Sequence, residues 1–185
     1  MDTTYIIIIT VAVLVISGLI LAPGFARRRR AKKLQEKFGP EYDHTVETLG
    51  DEKKAQAELE ERRKRVEAMN IQPLSSRDRS HYLADWTEVQ AKFVDEPGEA
   101  IEDANRLIKE VMQLRAYPVA DFDQRAADIS VNYPALVENY RAAREIALKN
   151  EQQQANTEEL RQAMIHYRSL FEELLGKESD VIEEK

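Results

Sequence analysis

The sequence predicts an all-α chain with one N-terminal transmembrane helix, followed by a cytoplasmic multi-helix domain built from antiparallel helical hairpins. Three observations lead there. An uninterrupted apolar run from Tyr5 to Ala22 is followed at once by Arg27, Arg28, Arg29, Arg30, Lys32 and Lys33. Beyond it, apolar residues recur at spacings of three and four, the period of a helix face. Nowhere does the chain show the strict alternation between hairpin turns that a strand ladder needs.

The apolar run is long enough to serve as an anchor. Its residues at about 1.5 Å each span roughly 27 Å, close to the ~30 Å hydrocarbon thickness of a bilayer. Only Thr10, Ser17 and Gly18 interrupt the Ile/Val/Leu/Ala sequence, and Pro23 and Gly24 end it. A cleaved signal peptide has its basic residues before the apolar stretch, and here the order is reversed, which favours an uncleaved anchor. Basic residues flanking a span stay on the cytoplasmic side. The expected topology is therefore a short N-terminus outside and the remainder in the cytoplasm, with Tyr5 and Phe25 at interfacial depth. The basic cluster Arg27, Arg28, Arg29, Arg30, Lys32 and Lys33 reads as a stop-transfer signal at the membrane surface, with a hold on anionic headgroups as the alternative.

Charge is unevenly distributed. The segment to Lys33 carries six positive charges and one negative, a net of +5, and the whole chain is at −7, which leaves −12 on the remainder. A domain this acidic is repelled by nucleic acid. With no cysteine, the chain has no disulfide framework, thiolate metal site or cysteine nucleophile. At about 150 residues the remainder is large enough to bury about two thirds of its unfolded surface as one domain.

The elements follow in order. Residues 27–38 form a basic juxtamembrane segment, broken by Gly39 and Pro40. A short helix runs from Pro40, well suited to a first helical position, to Leu49, with Gly50 as its stop. Asp51 to Met69 is highly charged, with Glu58/Arg62, Glu60/Lys64 and Glu61/Arg65 as i,i+4 pairs. Its apolar positions Ala55, Leu59, Val66 and Met69 form a heptad-like seam with Arg62 at an intervening core position, so 39–74 reads as a charged helical stalk or outer helix. Ser75 with Asp78 resembles a capping box and opens a helix whose Tyr82, Trp86, Val89 and Phe93 share a face. Pro97 opens the next, with Ile101, Ala104, Leu107, Ile108, Val111 and Met112 inward, ending near Arg115 because Tyr117 precedes Pro118.

A turn-and-helix segment at 119–131 places Phe122, Ala126 and Ile129 together. Pro134 starts another helix, with Leu136, Val137, Tyr140, Ala143 and Ala147 inward. Asn156 and Glu159 make a capping-box pattern before a helix with Leu160, Ala163, Met164, Tyr167, Leu170, Phe171, Leu174 and Leu175 on one face, stopped by Gly176. The organisation is an anchor at 1–26, the basic segment at 27–38, the stalk at 39–74, a helical bundle at 75–176 and a charged tail at 177–185. Within the bundle, 76–115 and 134–175 form the two hairpins.

Catalytic and metal signatures are weak. Glu41 and His44 make a Glu-x-x-His unit, but a ferritin-like carboxylate site needs a second copy; His81 and His166 have Asp78 and Ala163 three residues earlier. No Gly-rich phosphate loop, Gly-x-Ser-x-Gly elbow or His-Glu-x-x-His occurs. Glu172 and Glu173 are adjacent, so they point apart on a helix. No cofactor, metal or catalytic residue is assigned. Trp86 and its neighbours read as core rather than as a partner-binding groove. The segment 117–133, with acids, aromatics and prolines at its borders, offers Tyr117, Asp121, Phe122, Asp123, Arg125 and Asp128 as a candidate interaction surface.

That segment also carries a resemblance. Phe38-Gly-Pro-Glu-Tyr-Asp43, the run from Tyr117 to Asp128, Asn139-Tyr-Arg141 and the run from Leu160 to Arg168 resemble a family of uncharacterised bacterial proteins with one N-terminal membrane helix and a soluble helical domain. The resemblance implies a bacterial inner-membrane setting and supplies no site residues. The expected function is a membrane-anchored cytoplasmic interaction module, a scaffold or regulator of a membrane-associated complex, whose partners are the bilayer and a protein or a second copy. A small-molecule or lipid-sensing domain, or an enzyme with an unfamiliar site, is the alternative.

Overall fold

The computed structural model describes residues 28–119 and 121–176. The apolar run, its orientation, Arg27 and the tail at 177–185 lie outside the described residues. Among the described residues no helix is long and apolar enough to cross a membrane, and no β-strand forms.

Among the described residues eight helices follow one another. Residues 28–38 form α1, followed by α2 (Pro40–Leu49), α3 (Glu52–Ala68), α4 (Ser76–Asp95), α5 (Pro97–Leu114), α6 (Phe122–Asn132), α7 (Val137–Glu151) and α8 (Thr157–Leu175). Their ends obey local chemistry. Gly39 and Gly50 bracket α2 at φ 49° and 63°, a conformation costly for any residue with a Cβ. Asp51 and Ser75 cap α3 and α4, each accepting from a backbone N–H three residues on. Asn156 and Glu159 complete a reciprocal capping box on α8.

Pro134 departs from expectation. It does not open α7; residues 134–136 form a turn in which the Leu136 N–H donates to the Tyr133 carbonyl, and the helix starts at Val137. A residue before proline is pushed out of the helical region. Tyr133, at φ −130° and ψ 56°, therefore closes α6 instead.

Packing divides the chain into two joined cores. The larger spans α4 to α8 and holds both expected hairpins, α4 with α5 and α7 with α8, with α5 also lying along α8. Trp86 stacks on Phe171 at 4.5 Å between ring centroids, and Tyr140 meets Tyr167 edge-on at 6.3 Å, so Trp86 sits in the interior as read from its spacing. Fully burying side chains of this size stabilises by about 1.5–3 kcal/mol each. The smaller core gathers Leu34 and Phe38 of α1, Tyr42 of α2, Leu59 and Val66 of α3, and Val131 of α6. Hence α3 does not stand free as a stalk. Its stripe of Ala55, Leu59 and Val66 packs inward, against α2 and α6. The helix α6 belongs to both units, with Ala126 and Ile129 facing the large core and Val131 the small one.

Candidate functional site

The seam between the two units is built from charge. Glu41 is the second residue of α2, and its side chain is only 1% exposed. Arg141 of α7 grips it in a fork, Nη1 to Oε2 at 2.7 Å and Nη2 to Oε1 at 2.9 Å. Arg62 of α3 donates Nη1 to Oε1 at 2.8 Å and Nε to Glu58 at 2.9 Å. Such bidentate pairs combine strength with fixed geometry. Thr45 turns its hydroxyl back to the Glu41 carbonyl at 2.7 Å, as helical threonines can. Burial pulls the Glu41 carboxyl up, but hydrogen bonds and charge from Arg141, then Arg62, outweigh it and hold the group below its ordinary value.

A second charged contact crosses the same seam. Asp128 of α6 is fully buried, and its Oδ1 accepts from Arg65 Nε of α3 at 3.0 Å and from Gln124 Nε2 at 2.9 Å. Its Oδ2 makes no hydrogen bond.

A cleft of about 280 Å³ opens beside the clamp, lined by His44, Thr45, Glu58, Arg62, Asp123 and Arg141 among others. Two guanidiniums and two carboxylates face it, so it suits a small polar solute better than an apolar one.

The residues proposed as an interaction surface divide sharply. Asp121 and Asp123 are exposed and Phe122 is half-buried. Tyr117, Arg125 and Asp128 are interior, which removes them from any docking face. Each has a structural partner that explains its burial. Asn132 donates to the Tyr117 hydroxyl at 2.7 Å. Arg125 donates Nε to the Tyr140 hydroxyl at 3.2 Å and Nη1 to the Val119 carbonyl at 2.9 Å, with its guanidinium 5.8 Å from the Phe122 ring. Arg115 ties the same region to the end of α8 through Tyr133 and the Leu174 carbonyl. The segment is an internal brace rather than an outward loop.

The histidines do not share one site. His44 lines the seam cleft, His81 is exposed on α4 at 3.5 Å from Asp85, and His166 is half-buried on α8. Both Glu41 oxygens are taken by guanidiniums, so the Glu-x-x-His unit offers no free carboxylate. Among the described residues no group of His, Asp and Glu side chains is arranged to hold a metal ion. The described part of the basic cluster, Arg28, Arg29, Arg30, Lys32 and Lys33, lies on α1 with exposed side chains.

Comparison of the chain with protein-family models, with curated proteins and with solved structures finds no match.

Proposed function

We propose that this chain is a membrane-anchored interaction module of the bacterial inner membrane, a scaffold or regulator whose helical domain faces the cytoplasm. The observation that carries the reading is the Glu41 clamp. The helices that follow the basic cluster are fixed to the bundle by a buried carboxylate, Glu41, held by Arg62 on their own side and by Arg141 on the bundle, so the two units can present one continuous surface. A scaffold needs that property, because a partner can then contact both units at once. Exposed apolar side chains on the bundle support the same reading: Val94 is 80% exposed, and Leu114 and Ile165 are nearly half exposed.

The test is proximity labelling from the C-terminus in the native cell, with the apolar anchor fused directly to the labelling enzyme as control. A reproducible set of inner-membrane neighbours beyond those of the anchor alone is expected. Identical sets would defeat the interaction reading, and periplasmic activity of a C-terminal reporter would defeat the topology.

The seam cleft favours a second reading, sensing of a small polar molecule. On that reading a solute that raises the melting temperature of the wild-type chain leaves Asp123→Ala unshifted.

A further inference from the structure

A groove of about 740 Å³ runs between α1 and α3, and Arg28, Arg30, Lys53 and Lys64 line it. Among the described residues none of these four cations makes a salt bridge, although Lys64 and Arg30 act through space on the Glu60 carboxylate. The acids beside them are largely engaged. Glu60 accepts from Arg63 Nε and Nη2 at 3.2 and 2.7 Å. Glu52 accepts from the Tyr42 hydroxyl at 3.0 Å and from Gln56 at 3.1 Å, and Glu61 makes no salt bridge among the described residues. Four cations and three carboxylates line the groove, a net of +1, so it joins the basic segment to two lysines of the acidic remainder and favours an anion.

Its position says which anion. Arg28 is six residues beyond Ala22, where the apolar run ends, at most about 20 Å of extended chain. The mouth of the groove is therefore tethered close to the bilayer surface. Lys53 and Lys64 are eleven residues apart on α3, about 16 Å along the axis. The charge thus extends along a track rather than converging on one point. Ala31 and Ala57 are the small residues that leave the hollow open, and the aliphatic stems of the lysines wall it. A cationic rim over an apolar wall matches a phosphodiester headgroup with the glycerol beneath it.

We propose that the α1/α3 groove is a headgroup site for an anionic phospholipid, so that α3 as well as α1 reads the membrane surface. The inference rests on the anchored reading above and adds to it a specific lipid contact. Full-length protein is reconstituted into vesicles of phosphatidylcholine, or of phosphatidylcholine with phosphatidylglycerol, with a photoreactive phenylalanine analogue replacing Ala57. Crosslinking is expected to favour phosphatidylglycerol. The paired substitution K53E/K64E reduces that labelling by about tenfold or more, and K53Q/K64Q reduces it by a smaller factor. Both lysines are solvent-exposed, and an unchanged circular-dichroism melting curve separates lost binding from lost folding.

Equal labelling of the two lipids, or labelling indifferent to K53E/K64E in folded protein, overturns the proposal. So does displacement of the crosslink by inorganic phosphate at matched ionic strength, which would assign the groove to a free anion. Extraction of the protein from vesicles by alkaline carbonate is a separate outcome. It would defeat the anchored reading itself.

Discussion

Around the α4–α8 bundle the contacts that set the packing are apolar and aromatic, whereas the α1–α3 unit meets that bundle through two ion pairs, Arg141 with Glu41 and Arg65 with Asp128, beside the apolar contacts of Val131 and Ile71. The difference lies in how each responds to change. Apolar cores of this kind tolerate volume-conserving swaps and lose stability in proportion to the atoms removed. A buried ion pair is close to neutral against an apolar replacement of the whole set, but losing one partner strands a charge. The bundle is therefore the stable platform, and the seam is the part that position-specific chemistry controls.

The comparison is broken most severely by Phe171→Ala, which removes the ring stacked on Trp86 from a fully buried site. A loss of about 3–5 kcal/mol is expected, read from urea unfolding of the full chain in non-ionic detergent. Both units should unfold together, because the platform itself is lost. Glu41→Gln comes next, at about 2–3 kcal/mol, and its effect is regional. Amide exchange should quicken in α1, α2 and α3 while α5 and α8 keep their protection.

The acid limb sharpens the same distinction. Because the folded-state pKa of Glu41 is depressed, its contribution is present above the ordinary carboxylate range and is lost as pH falls through the folded-state value. The gap between wild type and Glu41→Gln should consequently narrow in acid. The gap for Phe171→Ala, which involves no titrating group, should persist. The smallest effect is a gain. Ala116 ends α5 at φ 66°, so Ala116→Gly should stabilise the bundle by about 0.5–1 kcal/mol, visible as a raised melting temperature.

Much of the bundle was legible because its signals are local. The Ser75 and Asn156 caps, Pro97, Gly50 and the inward faces of α5 and α8 all act within one or two turns, and the structure carries each of them. Pro134 was misread because a proline after an unfinished helix serves as a stop as readily as a start. The seam was illegible for another reason. Glu41 looks like an ordinary acid in the first turn of a helix, and its partners lie 21 and 100 residues away. Arg62 left a trace, since it fell between Leu59 and Val66 on an otherwise apolar stripe. Arg125 left a similar one. It lies three residues after Phe122 and four before Ile129, on the inward face of α6, yet arginine usually faces water. Spacing, rather than residue type, was the better guide there.

A double-mutant cycle between Glu41→Gln and Arg141→Gln, followed by urea unfolding of the full chain, tests most directly whether charge locks the two units together. The fork between the two side chains predicts a coupling of about 2 kcal/mol, with the double variant little worse than either single one. Additive losses, with a coupling under about 0.5 kcal/mol, would contradict the clamp and leave the seam to Val131 and its apolar neighbours.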